Sequence, residues 1–509
     1  MSADSVRADR LSIYGYPRPT TPAITEFSKQ SVAFKNFFVA GTLTPTSEAS
    51  VHTGRYPVSN GMVGFQSKIS TDSLTLAEVF KKNGYSTSAF SSSPEFFSRP
   101  NMRETFSRGY DKYAMQWRLT KKSRNLRLNE FAEWAAKQKK AEKPFFSWIA
   151  LGTAHWPIGT HAPRKFNDPN YSGIFKNIDR IESSALQHAV FQLIYDGFLY
   201  NRQGRDVFIG RFDGTAGDSE QNVIEKQSVW PFDIPSKVKR VKLNPADIRH
   251  ISDLYDNSIF AMDQEFSTLL KIVRELDLEK NTVIIFQSEH GEEMLEQGEY
   301  AHDNLWDTTI HAPLIIHSPT FSKHAGTWVE GLASGVDLAP TIYRHLGFNL
   351  GNEIRFDGVE LLEKGSHGKF KSERTEVFLT QVPIWETLWS IRGDEWLLDG
   401  LRKANASMNF RNYGVRTATH KLIHRKTRFI KAIHSMRNYF TGENQIEDEY
   451  EFFDLRKDPE EKFNLMRAPL SAENKVELEA LKTKLKEFDE RMLRLSRLKD
   501  GTKDFQEYF

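Results

Sequence analysis

Short apolar runs alternate with amphipathic segments along the chain, and this alternation limits the possible folds more than any other feature. Clear apolar runs lie at 31–38 and 144–152, and another lies within 281–293. From Asn244 to Val273, apolar residues recur with the period of a long amphipathic helix, with Pro245 at its first position. Strands that alternate with helices are typical of an α/β domain. We therefore predict a mainly parallel sheet flanked by helices.

The composition supports a large folded chain and excludes several kinds of chemistry. With 509 residues, 39% of them hydrophobic, the chain can bury a large core. The 69 basic and 67 acidic residues nearly cancel, which gives no argument for a nucleic-acid partner. Because the chain has no cysteine, disulfides, thiolate metal sites and cysteine nucleophiles are excluded.

Changes in composition suggest two domains. We predict a catalytic domain over 1–364, interrupted by a polar insertion at 160–243, and a smaller α+β subdomain over 365–509. No run of about 18 apolar residues indicates a membrane anchor, and the first residues lack the apolar core of a signal peptide. As given, the chain is expected to be cytoplasmic, and its oligomeric state is open.

Polar residues follow three of the predicted strands. Glu289 and His290 come after the third run, His155 comes after the second, and a hydroxyl-rich loop that includes Thr44 follows the first. The carboxyl ends of parallel strands meet at one edge of a sheet, where ligands bind. A carboxylate beside an imidazole suits Mn²⁺, Mg²⁺ or Ca²⁺. The alternative is a helix-capping carboxylate beside a packed histidine. We expect Thr46 or the serine after it to cap the helix that follows the loop.

Ordered sequence blocks add a specific resemblance. They include DSVRADRLSIYGYPRPTTPAITEFSKQSVAFKNFF, TPTSEASVHTGRYP, VIIFQSEHGEEMLEQGEYAHDN, IHAPLIIHSP, GVDLAPTIYRHLGF and EFFDLRKDPEEKFNL. In this order and over about residues 4–465, the chain resembles the sulfatase family of the alkaline phosphatase superfamily. The resemblance implies an alkaline-phosphatase-like fold and metal-dependent hydrolysis of a small anionic ester.

The resemblance also assigns roles to individual residues. It implies one divalent ion (Mn²⁺, Ca²⁺ or Mg²⁺) with four ligands: Asp4, Thr44, Glu289 and His290. Thr44 stands at the nucleophile position, and His155 and His302 match histidines that contact the anionic group. Arg55, counted with Thr44, His155 and His302 as catalytic, matches the arginine that closes the nucleophile motif and braces its loop. Either Thr42 or Thr46 is an alternative for the active hydroxyl.

The departures from the family pattern bear on the substrate. Sulfatases carry Cys or Ser at the nucleophile position, oxidised to formylglycine, whereas threonine cannot supply that aldehyde. Glu48 also replaces the arginine expected near it. A threonine hydroxyl remains a competent nucleophile for phosphorus. We therefore expect a phosphate mono- or diester, or a phosphonate, cleaved through a phospho-threonine. A sulfuric ester hydrolase and an inactive binding protein with the sulfatase fold are the alternatives.

Further expectations concern the start of the chain and residues outside the site. Only three residues precede Asp4, so we expect the buried strand there to be missing: either the true start lies upstream, or Asp4 stands on an unanchored terminus. A longer start could also have carried an export signal, which leaves the location open. Asp256 and Asp337 are expected to be structural carboxylates. Lys421 and Arg416 are expected to join the C-terminal subdomain to the main domain.

Overall fold

A computed structural model of the chain describes most of the predicted catalytic domain and parts of the C-terminal region. The described residues are 1–64, 67–91, 100–115, 121–155, 158–159, 162–173, 206–210, 238–242, 244–294, 296–297, 300–302, 304–351, 354–364, 370–381, 412–425 and 449–499. Most of the predicted insertion at 160–243 therefore lies outside the described residues.

The strands are numbered in chain order. They are β1 (Ser2–Ala3), β2 (Val32–Phe38), β3 (Ser86–Ser91), β4 (Lys112–Met115), β5 (Phe145–Leu151), β6 (Asp206–Gly210), β7 (Val238–Lys242), β8 (Ile284–Ser288), β9 (Glu293–Met294), β10 (Tyr300–Ala301), β11 (His311–His317), β12 (Thr327–Ser334), β13 (Glu363–Lys364), β14 (Phe370–Lys371), β15 (Glu376–Gln381), β16 (Asn412–Thr417), β17 (His420–Arg425) and β18 (Glu449–Asp454).

The α-helices are numbered in the same way. They are α1 (Pro22–Ser28), α2 (Thr44–Thr53), α3 (Pro57–Asn60), α4 (Leu76–Lys82), α5 (Pro100–Phe106), α6 (Lys121–Lys140), α7 (Pro245–Glu275), α8 (Asp307–Ile310), α9 (Leu338–His345) and α10 (Ala472–Lys499).

Within the described residues, ten strands form the main sheet in the order β13-β14-β12-β2-β11-β8-β1-β5-β3-β4. The five strands from β8 to β4 run parallel, and β11 is antiparallel to both of its neighbours. Helices α1, α6 and α7 pack on one face, and α2, α4 and α9 pack on the other. This arrangement confirms the predicted mainly parallel sheet flanked by helices.

Side-chain hydrogen bonds at its N-terminus explain where helix α7 begins. The Asn244 side chain accepts hydrogen bonds from the backbone N–H groups of Ala246 and Asp247, and the Asp247 side chain accepts one from Asn244 N–H. Pro245 stands in the first turn, where its missing N–H has no cost. The predicted cap and helix start are confirmed.

The expectation that the strand before Asp4 is missing needs correction. Ser2 and Ala3 form β1, which pairs in parallel with β5 on one side and β8 on the other. Asp4 N–H donates to the Leu151 carbonyl, and the Ala3 carbonyl accepts from Glu289 N–H. Asp4 is thus anchored at the centre of the sheet, because even two residues are held firmly when both neighbouring strands bond to them.

The C-terminal region contains a second, antiparallel sheet in the order β15-β16-β17-β18. Apolar residues of α10 pack on this sheet, among them Leu481 and Phe488. Gly41 forms a bridge to Thr380 of β15, close to the start of α2. The smaller C-terminal α+β region is confirmed. Its boundary at 364/365 stays a prediction. Strand β14, which follows that boundary, pairs with β12 of the main sheet. In the part of the chain that the structure describes, no helix is both long and apolar enough to cross a membrane.

Candidate active site

Thr44 is the first residue of α2, and it lies in the interior. Leu43 is the N-cap residue and has extended backbone angles, and Pro45 occupies the first helical turn. The expectation that Thr46 or Ser47 caps this helix is therefore wrong: the proline fits the first turn, which moves the helix start back to Thr44. The Thr46 hydroxyl instead donates to the Leu43 carbonyl at 2.8 Å. All ten residues of α2 are buried.

Asp4 and Glu289 lie side by side at the carboxyl ends of β1 and β8. The register pairs Ala3 with Ser288, so the next residue of each strand reaches the same edge of the sheet. The Glu289 carboxyl hydrogen-bonds to the Asp4 carboxylate. Both side chains are almost fully buried. Burial acts to raise the pKa of Asp4, but His155, His290 and the hydrogen bond from Glu289 bring it below its usual value.

His290 places a lone pair between Asp4 and Thr44. Its Nδ1 lies 2.9 Å from the Gly291 carbonyl oxygen, which can only accept, so Nδ1 carries the proton. Its Nε2 lies 3.2 Å from Thr44 Oγ1 and 3.7 Å from Asp4 Oδ1. Burial lowers the pKa of His290 to about 4, which keeps the ring neutral at pH 7. A neutral imidazole with a fixed tautomer is prepared to act as a metal ligand.

These side chains fit a divalent cation. One ligand atom from each of Asp4, Glu289 and His290 lies within 4.8 Å of the others. The hydrogen bond between the two carboxyl groups requires one proton. A divalent cation could take the place of this proton, and both carboxyl groups would then offer oxygen ligands. Two carboxylates and one imidazole match Mn²⁺, Mg²⁺ or Ca²⁺ rather than a thiol-seeking metal.

His302 and His155 reach the same site. The His302 ring stacks on His290 with centroids 4.3 Å apart, and its Nδ1–H donates to Glu292 Oε1 at 3.4 Å. His302 is partly exposed, so it lies on the solvent side of the buried ligands. His155 follows β5 and is close enough to Asp4 to lower the pKa of that carboxyl. The structure thus gathers every predicted ligand, the predicted nucleophile and both predicted anion-contacting histidines.

Comparison with known proteins agrees with this site and fold. The family model described as Sulfatase matches residues 2–348. The chain belongs to the sulfatase family. An ulvan-active sulfatase of Formosa agariphila is 22% identical over 387 residues, which are 70% of this chain and 62% of that protein. Human iduronate 2-sulfatase is 22% identical over 343 residues, 61% of this chain and 57% of the relative. The chain therefore spans about 60% of the length of these two relatives.

Solved structures share the fold of this sulfatase-family chain at low identity. The phosphonate monoester hydrolase of Agrobacterium radiobacter superposes with a TM-score of 0.63 and 17% identity, over 98% of this chain and 95% of that one. The phosphonate monoester hydrolase of Silicibacter pomeroyi gives a TM-score of 0.56 and 15% identity, over 97% and 93% of the two chains. Both the expected family and the expected fold are confirmed.

Arg55 is not part of the cluster around Thr44. It lies beyond the far end of α2, and ten helical residues correspond to about 15 Å. Its guanidinium donates to Ser59 and Ser73 and pairs with Asp72. Arg55 thus braces the segment that follows α2, away from Thr44, and a catalytic role for it stays a prediction.

Two of the residues assigned to structural roles behave as expected. Asp337 accepts from the backbone of Ser334 and Val359 and pairs with Arg374. The carboxylate of Asp256 lies between Tyr16 and two arginines near the start of the chain. Neither aspartate belongs to the clusters that could hold a metal among the described residues.

Sequence reasoning missed two buried glutamates at the site. Glu292 holds His302, although it stands only two residues after His290 in the same block. Glu48 was noted as a departure from the family pattern, but its contacts with Ser2 and Gln287 were not expected. A second glutamate in EHGEE was the available signal for Glu292, whereas the contacts of Glu48 come from distant parts of the chain.

Proposed function

We propose that this sulfatase-family chain hydrolyses a small phosphate mono- or diester, or a phosphonate ester, with Thr44 as the nucleophile. The observation that supports this proposal best is the position of Thr44 Oγ1. It lies at the first residue of a buried helix and 3.2 Å from Nε2 of His290. The proposed nucleophile, Thr44, therefore lies within hydrogen-bond distance of the proposed metal ligand His290.

The surroundings of Thr44 suit an anionic ester. The first amides of α2 point toward its N-terminus, where the helix dipole favours negative charge. His155 and His302 would bind the oxygens of the phosphoryl group, as the family resemblance implies. Threonine has a methyl group where an aldehyde would have to form, which favours phosphorus over sulfate as the reacting centre.

Four residues would hold the divalent ion: Asp4, Thr44, Glu289 and His290. When bound, such an ion lowers the pKa of a hydroxyl group and neutralises charge that develops on phosphoryl oxygens. Nδ1–H of His290 donates to Gly291 and so keeps Nε2 directed at the site. Burial of the two acids excludes water from their surroundings, which strengthens every electrostatic contact there.

The reaction would proceed in two displacements. Thr44 Oγ1 forms a bond to phosphorus while the bond from phosphorus to the ester oxygen breaks. The proton of the threonine hydroxyl ends on the departing alcohol. Water then attacks the phosphorus, the bond between phosphorus and Thr44 Oγ1 breaks, and one proton of this water returns to Thr44. Such transfers depend chiefly on positioning and charge stabilisation.

A sulfuric ester is the second candidate substrate. The names of the relatives in Formosa agariphila and in humans support it, since both are sulfatases. Two phosphonate monoester hydrolases share the fold, but so does a 2-O sulfatase with a TM-score of 0.61, so the fold alone does not favour either candidate. Both reactions would use the same metal ligands. They differ in whether phosphorus or sulfur is the atom that is attacked.

Matched substrates and two threonine variants test the proposal. Mn²⁺-dependent hydrolysis is measured with an aryl phosphate, a phosphodiester, a phosphonate and a sulfate. We expect turnover of at least one phosphorus ester, and a loss of at least about 1,000-fold in Thr44→Ala, as for removal of other nucleophiles. Thr46→Ala is the matched control, because its hydroxyl is used by the Leu43 carbonyl. Full activity in Thr44→Ala, or turnover of sulfate alone, would contradict the proposal.

A further inference from the structure

A second layer of polar side chains lies directly behind the groups of the active site. Side chains two apart on a strand, or four apart on a helix, share a face. Each inner residue stands in this relation to an outer one: Ser2 to Asp4 at β1, Gln287 to Glu289 at β8, and Glu48 to Thr44 on α2. The inner layer therefore repeats the outer one, one step deeper in the fold.

A single carboxylate joins the three elements of this inner layer. Glu48 Oε1 accepts hydrogen bonds from Ser2 Oγ and, at 3.0 Å, from Gln287 Nε2. Gln287 Nε2 also donates to Ser2 Oγ at 2.9 Å. The other oxygen of Glu48, Oε2, lies 3.3 Å from His52 Nε2, one turn further along α2. These four side chains are almost completely buried.

Filling space in the core does not by itself account for the buried carboxylate of Glu48. Burying a carboxylate is unfavourable unless hydrogen bonds satisfy it, and an apolar side chain would fill the same space without that cost. Glu48 also stands where the family resemblance expects an arginine that steadies the reacting group. Here the side chain faces the strands, so it contacts Ser2 and Gln287 and lies behind Thr44 rather than beside the substrate.

We propose that Glu48 is a positioning residue that sets the spacing between the nucleophile on α2 and the metal ligands that follow β1 and β8. Its hydrogen bonds fix α2 to both strands one step from Thr44, Asp4 and Glu289. Its effect on turnover rests on the proposed role of Thr44. Its effect on metal binding does not, because Asp4 and Glu289 follow the two strands that Glu48 contacts through Ser2 and Gln287, whatever the substrate.

Mn²⁺ affinity of the full chain, measured by calorimetry, tests this inference without any substrate. Removing a group that hydrogen-bonds directly to a metal ligand typically weakens binding 10–100-fold. Glu48 acts through Ser2 and Gln287 rather than on a ligand itself, so we expect a loss at the lower end of this range, about tenfold, for Glu48→Leu. Glu48→Gln keeps an oxygen that can accept from Ser2 and Gln287, so it should stay within about threefold of the wild type. Ser50→Ala is the matched control, a buried α2 residue that donates only to the Thr46 carbonyl and should bind like the wild type.

Turnover provides a second, separate readout. Small displacements of reacting groups can cost about 100-fold in rate. If a substrate is found, Glu48→Leu should lower kcat with little change in KM, and Glu48→Gln should restore most of kcat. If the wild type turns over none of the esters, the proposed function fails while the Mn²⁺ measurement still decides the role of Glu48.

Folding is checked by near-ultraviolet circular dichroism before either readout. Folded Glu48→Leu that binds Mn²⁺ as tightly as the wild type would overturn the inference, as would an equal loss in Ser50→Ala. Should Glu48→Leu fail to fold, Gln287→Met removes the strand side of the same contact. A loss of about tenfold in its Mn²⁺ affinity would support the inference, and unchanged affinity would overturn it.

Discussion

Two buried clusters of charged side chains differ in how their charge is balanced. In the metal-ligand cluster, made of Asp4, Glu289 and His290, the two carboxyl groups share a hydrogen bond and face imidazoles. In the Asp307 cluster, made of Asp307, Arg416, Lys421 and Glu461, two carboxylates meet two permanent cations. The proposed divalent cation would neutralise the first cluster, whereas cations of the chain itself neutralise the second.

The Asp307 cluster has a structural role. Lys421 is fully buried, lies 2.5 Å from Asp307 and contacts Glu461, while Arg416 lies 3.0 Å from Asp307. Burial acts to raise the pKa of Asp307, but the two cations outweigh it and bring the pKa well below its usual value. This cluster joins β16 and β17 to the main domain, as predicted for Lys421 and Arg416. Buried carboxyl groups are thus accommodated in two ways: by a shared hydrogen bond and nearby imidazoles in the metal-ligand cluster, and by lysine and arginine in the Asp307 cluster.

The largest effect is expected from breaking the Asp307 cluster. Lys421→Met leaves Glu461 without the cation it contacts and leaves Asp307 with Arg416 alone, so the free energy of unfolding should fall by about 3 kcal/mol. Denaturant unfolding measures this loss, which should be the same with and without Mn²⁺. Lys462→Met is the control, because that exposed lysine should change stability by no more than about 0.5 kcal/mol. Equal stability of Lys421→Met and Lys462→Met would contradict the structural role of the Asp307 cluster.

The next effect concerns the metal-ligand cluster and, unlike the first, depends on Mn²⁺. Saturating Mn²⁺, at about 100 times its Kd, should stabilise the wild type by about 2.7 kcal/mol. Asp4→Asn removes an anionic ligand, so this stabilisation should vanish. Without metal, Asp4→Asn should be somewhat less stable than the wild type at pH 7, since the lowered pKa of Asp4 means that its contacts favour the ionised carboxylate in the folded state. Thermal unfolding with and without Mn²⁺ checks both statements. Mn²⁺ stabilisation retained in Asp4→Asn would show that the ion binds elsewhere.

The last effect is a pH dependence within the Asp307 cluster. Burial raises the pKa of Glu461 to about 7, above its unfolded value near 4.5. The folded state then binds the proton more tightly, so this group's contribution is present below pH 4.5 and is lost as pH rises toward 7. The slope is at most about 1.4 kcal/mol per pH unit. Glu461→Gln should flatten the fall seen in denaturant unfolding between pH 5 and 7. An unchanged slope would exclude Glu461 as its source.

The sequence predicted those features that depend on local pattern. Asn244 and Pro245 mark the start of α7 by chemistry within one turn, and the order of sequence blocks predicted the group of side chains that lies around His290. Strand β1 was missed because two residues carry no periodicity, and only hydrogen bonds from β5 and β8 define it. The contacts of Glu48 were missed because they link segments 46 and 239 residues apart. Pairing across such distances is a property of the folded chain.

One measurement tests the central proposal most directly. The enzyme is mixed with the phosphorus ester that it hydrolyses fastest in Mn²⁺, quenched with acid during turnover, and digested for mass spectrometry. A phosphoryl group attached to Thr44 in the wild type and in Thr46→Ala, and absent from Thr44→Ala, is the predicted result. Turnover without any adduct on Thr44, or turnover that persists in Thr44→Ala, would contradict the proposed mechanism.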